Sequence, residues 1–170
     1  MRNDMGAIRL ITLHWTGGSY TQTSPKYHFN VTGNGDTMRT LPLTEKGEHC
    51  WGRNTGNIGI TMCCMANART LPTMKQIEET AALIADLSIQ FKIGFNDVYA
   101  AQRHKVINQT RIPIPGTVDV FRITDHAAYA RVDGYYPDRW DCGRYTNEII
   151  KKARWYAAEV EKGERPRRSW

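Results

Sequence analysis

The chain has no stretch approaching the roughly 20 apolar residues that a membrane-spanning helix needs, which excludes a helical membrane protein. Met1 to Met5 carry charge with no apolar segment behind it, so no secretory signal is expected and the protein is expected to be made in the cytoplasm. No internal repeat and no low-complexity segment is present, and collagen and coiled coil are excluded with them. Cysteine is scarce: Cys50, Cys63, Cys64 and Cys142 contain no C-x-x-C pair, so a cysteine-rich zinc knuckle and a dense disulfide scaffold are both set aside. Cys63 and Cys64 are adjacent and on a strand point to opposite faces; they read as reduced, buried thiols.

What remains is the composition of one globular domain. Of 170 residues, 41% are hydrophobic and 24% charged. A chain of this length buries roughly 70% of its unfolded surface, enough for one core. The formal charge is +6 and the pI about 9.3. That favours polyanions: nucleic acid, anionic lipid or the anionic bacterial wall. The one tight basic cluster is Arg165, Arg167 and Arg168, around Pro166. We expect residues 163–170 to be a frayed, solvated tail beyond a domain spanning 1–162.

Residues 8–14 read as a buried strand ending at His14, followed by a loop at Gly17 and Gly18. Residues 27–41 read as a hairpin turning at Gly33 to Asp36, and 57–65 as another buried strand. Thr73 to Ile93 is the clearest helix, with Ile77, Ala81, Ile84 and Leu87 on one face, Thr73 as cap and Gly94 as stop. Residues 98–107 and 117–124 resemble short strands, and Asn108 to Gly116, with Pro113 and Pro115, a loop. A second helix runs from about Asn147 to Val160. The order implies an α/β domain with a central mixed β-sheet flanked by helices.

Histidine is also sparse, with five in the chain. His14 and His126 each end an expected strand and open a loop, where rigid backbone meets accessible space. Arg139-Trp140-Asp141-Cys142-Gly143 adds a carboxylate. Two imidazoles and a carboxylate are a normal ligand set for catalytic zinc, with water in the fourth place. From spacing alone, a histidine at a strand end reads more often as a hydrogen-bonded structural residue.

Four segments, in order, then carry a resemblance. They are Leu10-Ile11-Thr12-Leu13-His14; Tyr27-His28-Phe29 with its turn to Gly35-Asp36; His49 through Asn54 to Ile58-Gly59-Ile60; and His126 followed by Arg139-Trp140-Asp141. Over residues 6–145 the sequence resembles the zinc-dependent N-acetylmuramoyl-L-alanine amidases, which include phage lysozyme-amidases and peptidoglycan recognition proteins. The resemblance implies hydrolysis of the amide joining the muramic acid lactyl group to L-alanine of peptidoglycan. It implies zinc on His14, His126 and Asp141. Cys142, side by side with Asp141, is a rival third ligand, and His104 a rival second ligand; Asp141 is preferred because it falls two after Arg139, which leaves Cys142 in the place of the family's proline.

The branch resembled has no glutamate after the Ile-Gly-Ile strand; Thr61 stands there, which makes Tyr27 a catalytic candidate. Arg139 stands where the family usually has lysine, favouring charge stabilisation over acid catalysis because guanidinium does not give up its proton. The general acid stays open. His49, Trp51 and Asn54 are expected to contact glycan or peptide, although His49 and Asn54 could equally order a loop. His28 is expected to make a structural hydrogen bond. The expected partner is peptidoglycan, met by a monomer after release or delivery to the wall. A non-catalytic peptidoglycan-binding module is the alternative. Nucleic acid is not expected, because no reader motif and no basic–aromatic interleaving is present. A phage lysin, an injected effector and a recycling enzyme all remain open.

Overall fold

The computed structural model describes residues 3–65, 69–135 and 142–170. Arg139, Trp140 and Asp141 lie outside the described residues. The central sheet holds β1 (Leu10–Trp15), β2 (Phe29–Val31), β3 (Thr37–Arg39), β4 (Asn57–Met62) and β7 (Ile123–Asp125), in the order β3-β2-β4-β1-β7. β1 runs parallel to β4 and β7, β2 parallel to β4, and β3 antiparallel to β2, so the sheet is mixed as expected.

Strand alternation divides the sheet into two chemistries. Ile11 and Leu13 of β1, Ile58, Ile60 and Met62 of β4, and Phe29 of β2 join one apolar core. Helices α1 (Met74–Phe91) and α3 (Gly143–Glu161) complete it through Ile77, Ile84, Leu87 and Ile149. Each such side chain contributes about 1.5–3 kcal/mol by leaving water. The alternate residues, Thr12 and His14, are polar yet fully buried, and the Thr12 hydroxyl donates to Asn57 Oδ1 at 2.8 Å. Helix α1 starts as expected, on a capping box between Thr73 and Gln76. All four cysteines are buried.

Three expectations are corrected. The segment from Asn108 to Gly116 is not a loop. Strands β5 (Val98–Ile107) and β6 (Thr110–Phe121) form a separate two-stranded sheet, and only Asn108 and Gln109, both at positive φ, make the turn. Pro113 and Pro115 fit because β6 has a partner on one side only, so a missing N–H costs no ladder bond on the other. His126 opens a helix rather than a loop: α2 (His126–Asp133) is capped by the Asp125 carboxylate and ends at Gly134. The C-terminal segment is not frayed. Arg165 and Arg168 both pair with Asp86 of α1, and the Trp170 ring packs edge-on to Phe29 at 5.2 Å. Among the described residues no helix is long and apolar enough to cross a membrane.

Candidate active site

His14 sits one residue before the end of β1, on the polar face of the sheet. Three rings surround it. Its centroid lies 5.0 Å from Tyr27, 5.0 Å from His49 and 4.9 Å from His126. Tyr27 is half-buried in the bend before β2, and His126 is the first residue of α2. Residues far apart in sequence, at 14, 27, 49 and 126, thus meet at one end of the sheet.

His49 reaches His14 because glycine clears the way. A Cβ on Gly59 of β4 would stand 2.7 Å from the His49 ring, and one on Gly47 would stand 2.8 Å from it. The middle residue of Ile58-Gly59-Ile60 is therefore glycine for a close approach. His49 Nε2 lies 3.0 Å from the Asn57 carbonyl, and Nδ1 lies 2.9 Å from His14 Nε2. A carbonyl only accepts, so His49 Nε2 carries a proton. Burial, and the neighbouring His14 after it, hold the His49 pKa well below its ordinary value, so the ring is neutral and Nδ1 accepts. His14 Nε2 then donates, and the lone pair of His14 resides on Nδ1. Nε2 of His126 is engaged likewise, 2.8 Å from the Tyr135 hydroxyl.

That is the arrangement metal-binding histidines commonly show, one nitrogen oriented by a protein partner while the other faces the metal. Among the described residues, no group of three or more histidine, cysteine, aspartate or glutamate side chains that could hold a metal is assembled. The expected third ligand, Asp141, and the expected catalytic Arg139 fall outside those residues. Two imidazoles, each with its Nε2 engaged by a protein partner, are a donor pair that fits zinc.

The other expected residues take clear positions. Asn54 Oδ1 accepts from the amides of His49 and Cys50, at 3.1 and 2.8 Å, so it orders the loop. His49, only 5% exposed and engaged through both nitrogens, acts on His14 and offers a substrate little surface. Trp51 is 43% exposed and meets the Tyr135 ring edge-on at 5.7 Å. His28 is structural: Gly59 N–H donates to its Nδ1, and its Nε2 donates to the Glu45 carbonyl. Burial holds its pKa below the ordinary value, with the Arg39 charge adding to that and the bond to the Glu45 carbonyl opposing it. His104, the rival second ligand, belongs elsewhere. Its Nδ1 lies 3.0 Å from Asp133, which also binds Arg53 at 2.6 Å. Cys142, the rival third ligand, is buried against the core at the start of α3. Tyr135 was missed by sequence reasoning; burial, first of all, raises its hydroxyl pKa, so it stays protonated.

Comparison with known proteins agrees with the fold. No curated protein sequence matches the chain. Solved structures share the fold at low identity. The N-acetylmuramoyl-L-alanine amidase LysC from Clostridium intestinale is 15% identical with a TM-score of 0.52, covering 87% of this chain and 86% of its own. The Ph2119 endolysin from a Thermus scotoductus bacteriophage is 13% identical, with a TM-score of 0.54 and coverage of 89% and 88%. The hydrolase AmiA of Staphylococcus aureus is 12% identical, with a TM-score of 0.56 and coverage of 96% and 79%. The family model described as N-acetylmuramoyl-L-alanine amidase matches residues 4–120, a stretch that holds His14, Tyr27 and His49 and stops short of His126. The chain belongs to the N-acetylmuramoyl-L-alanine amidase family.

Proposed function

We propose that this protein hydrolyses the amide between the muramic acid lactyl group and L-alanine of bacterial peptidoglycan, using zinc held by His14, His126 and Asp141. The observation that carries the reading is the convergence of Tyr27 and His126 on His14, with ring centroids 5.0 and 4.9 Å from that of His14. Zinc bound there supplies a Lewis acid that acidifies water and polarises the scissile carbonyl.

The chain's own groups do the rest. His49 holds the His14 tautomer. The Tyr27 hydroxyl, beside the His14 ring, donates to the oxyanion as the carbonyl becomes tetrahedral, and the Arg139 cation adds charge stabilisation. The exposed Trp51 indole offers a face to the glycan or peptide. Peptidoglycan is the partner, the protein acts as a monomer, and its role is that of a bacteriolytic endolysin acting on the wall. The endolysin structures that share its fold support that role.

The test is metal analysis with wall digestion, with and without chelator. Purified protein carries one zinc and releases new N-terminal alanine from walls, and chelation abolishes the release. His14→Ala and Asp141→Ala each lose metal and activity. Tyr27→Phe keeps the metal and slows turnover by about 10²–10³, the usual cost of one lost oxyanion donor. Full metal in Asp141→Ala with loss in Cys142→Ser moves the third ligand to Cys142. Wild-type protein that binds walls without releasing alanine leaves a peptidoglycan-binding module.

A further inference from the structure

We propose that a second site, between the β5–β6 hairpin and helices α2 and α3, binds a phosphate-bearing polyanion, the phosphodiester polymer of a bacterial wall. A cavity of about 810 Å³ opens there. Its described lining includes none of His14, Tyr27, His49 or His126, so it is separate from the candidate active site. Arg103 of β5, Arg131 of α2 and Arg144 of α3 all reach it, from three elements distant in sequence.

The charge of these arginines is uncompensated. Among the described residues none has an ion-pair partner, and Arg144 stacks over the Tyr145 ring at 5.6 Å. Four other arginines are ion-paired by contrast: Arg53 and Arg111 meet Asp133, and Arg165 and Arg168 meet Asp86. Two carboxylates line the cavity. Asp125 is consumed within the fold, accepting from the Ala128 amide and the Thr146 hydroxyl. Among the described residues of the lining, that leaves Asp119 as the one carboxylate beside the three cations. Helix α3 begins in the same wall, and the positive end of its dipole adds to the potential.

Separated guanidinium forks suit a ligand that repeats its charge along a chain, each fork taking one phosphate. Val118 and Phe121, 40% and 51% exposed, offer apolar contact to the hydrocarbon between phosphates. Phe121 is the one aromatic ring in the described lining, whereas nucleic acid binding calls for successive rings on which bases stack. The wall as the source of the polymer rests on the amidase reading; the anion site does not.

The probe is inorganic polyphosphate, titrated over a range of salt into wild-type protein, an Arg103→Ala/Arg131→Ala/Arg144→Ala variant, and the corresponding triple lysine variant. The alanine variant binds about tenfold or more weakly, and its salt slope falls by about two, as expected when three phosphate contacts are lost. The lysine variant, which keeps the charge and loses the fork, falls between. His14→Ala binds like wild type, which separates this site from the zinc site. Binding by the alanine variant within about twofold of wild type overturns the proposal, because the net charge alone then suffices. Oligothymidylate of matched charge that outcompetes polyphosphate also overturns it, in favour of nucleic acid. Isolated walls complete the test: wild-type retention falls when phosphate polymer is stripped from them by acid, and retention of the alanine variant does not change. Equal wild-type retention on stripped walls overturns the wall source. A wild type that releases no alanine sinks the amidase reading and leaves these binding results standing.

Discussion

At the scale of single residues, His49 decides more than its position suggests. It belongs to no expected ligand set, yet the Asn57 carbonyl fixes its tautomer and it fixes that of His14. A glutamine at this position keeps one donor for Asn57 and one acceptor for His14; a leucine keeps neither. We expect His49→Gln to hold zinc nearly as wild type does and His49→Leu to lose about 10–100-fold in metal affinity, measured by competition with a chelator. The same ring gives an acid-sensitive fold. Its folded pKa lies well below 6.5, so the unfolded chain takes up the proton first as pH falls. Its neutral burial therefore costs nothing above that pH, and stability declines below it, by up to about 1.4 kcal/mol per pH unit for one proton. Melting curves of the metal-free protein flatten below pH 6.5 in His49→Gln if this holds. His14, Tyr27 and His126 were legible because each ends or flanks a recognisable strand motif. The work of His49 was not, because a sequence shows a histidine and a glycine ten residues apart, at 49 and 59, but not that one lies on the other.

At the scale of elements, the β5–β6 hairpin and α2 are held by one buried carboxylate. Asp133, fully buried at the end of α2, takes Arg53 from the loop beside His49, His104 from β5, and Arg111 from β6. His126 lies seven residues earlier on the same face of α2, so this anchor also orients the imidazole. Asp133→Ala leaves two arginines without their acceptor. We expect a loss of about 3–5 kcal/mol, or a melting temperature lower by roughly 6–20 °C, with hydrogen exchange of the hairpin amides rising first. An unchanged melting temperature would show that the apolar contact around Tyr129 and Ala101 suffices. The core strands and α1 were legible because alternation and helical period are strong there. The hairpin was misread in its middle because two prolines signal a loop wherever the neighbouring strand is unknown. Helix α2 was missed because Ala127, Tyr129 and Ala130 are its main buried residues, which make a short and weak apolar stripe.

At the scale of the whole molecule, the C-terminal segment closes the fold. Glu79 and Asp86 stand seven apart on one face of α1, and Arg168 reaches both while Arg165 pairs with Asp86. The Asp86 carboxylate is fully buried and accepts from both guanidinium groups and from the Arg168 amide. Gln90 and the Trp170 backbone exchange two hydrogen bonds at 2.7 and 2.9 Å, and these hold the indole against Phe29. A basic tail with no apolar period reads as solvated because its partners, two acids on a distant helix, carry no signal of their own. With those arginines paired, the excess positive charge is left to surfaces such as the cavity beside the hairpin. Removing residues 163–170 uncovers Phe29 and strands Asp86. Breaking a buried pair costs about 3–5 kcal/mol, and water now reaching Asp86 returns part of it. A melting temperature lower by roughly 4–12 °C is the expected outcome. Asp86→Ala in the full chain should lower it too, and combining the two changes should cost less than their sum, because both remove the same contact. A truncated protein that melts with the full chain would mean that the tail contributes nothing to the fold.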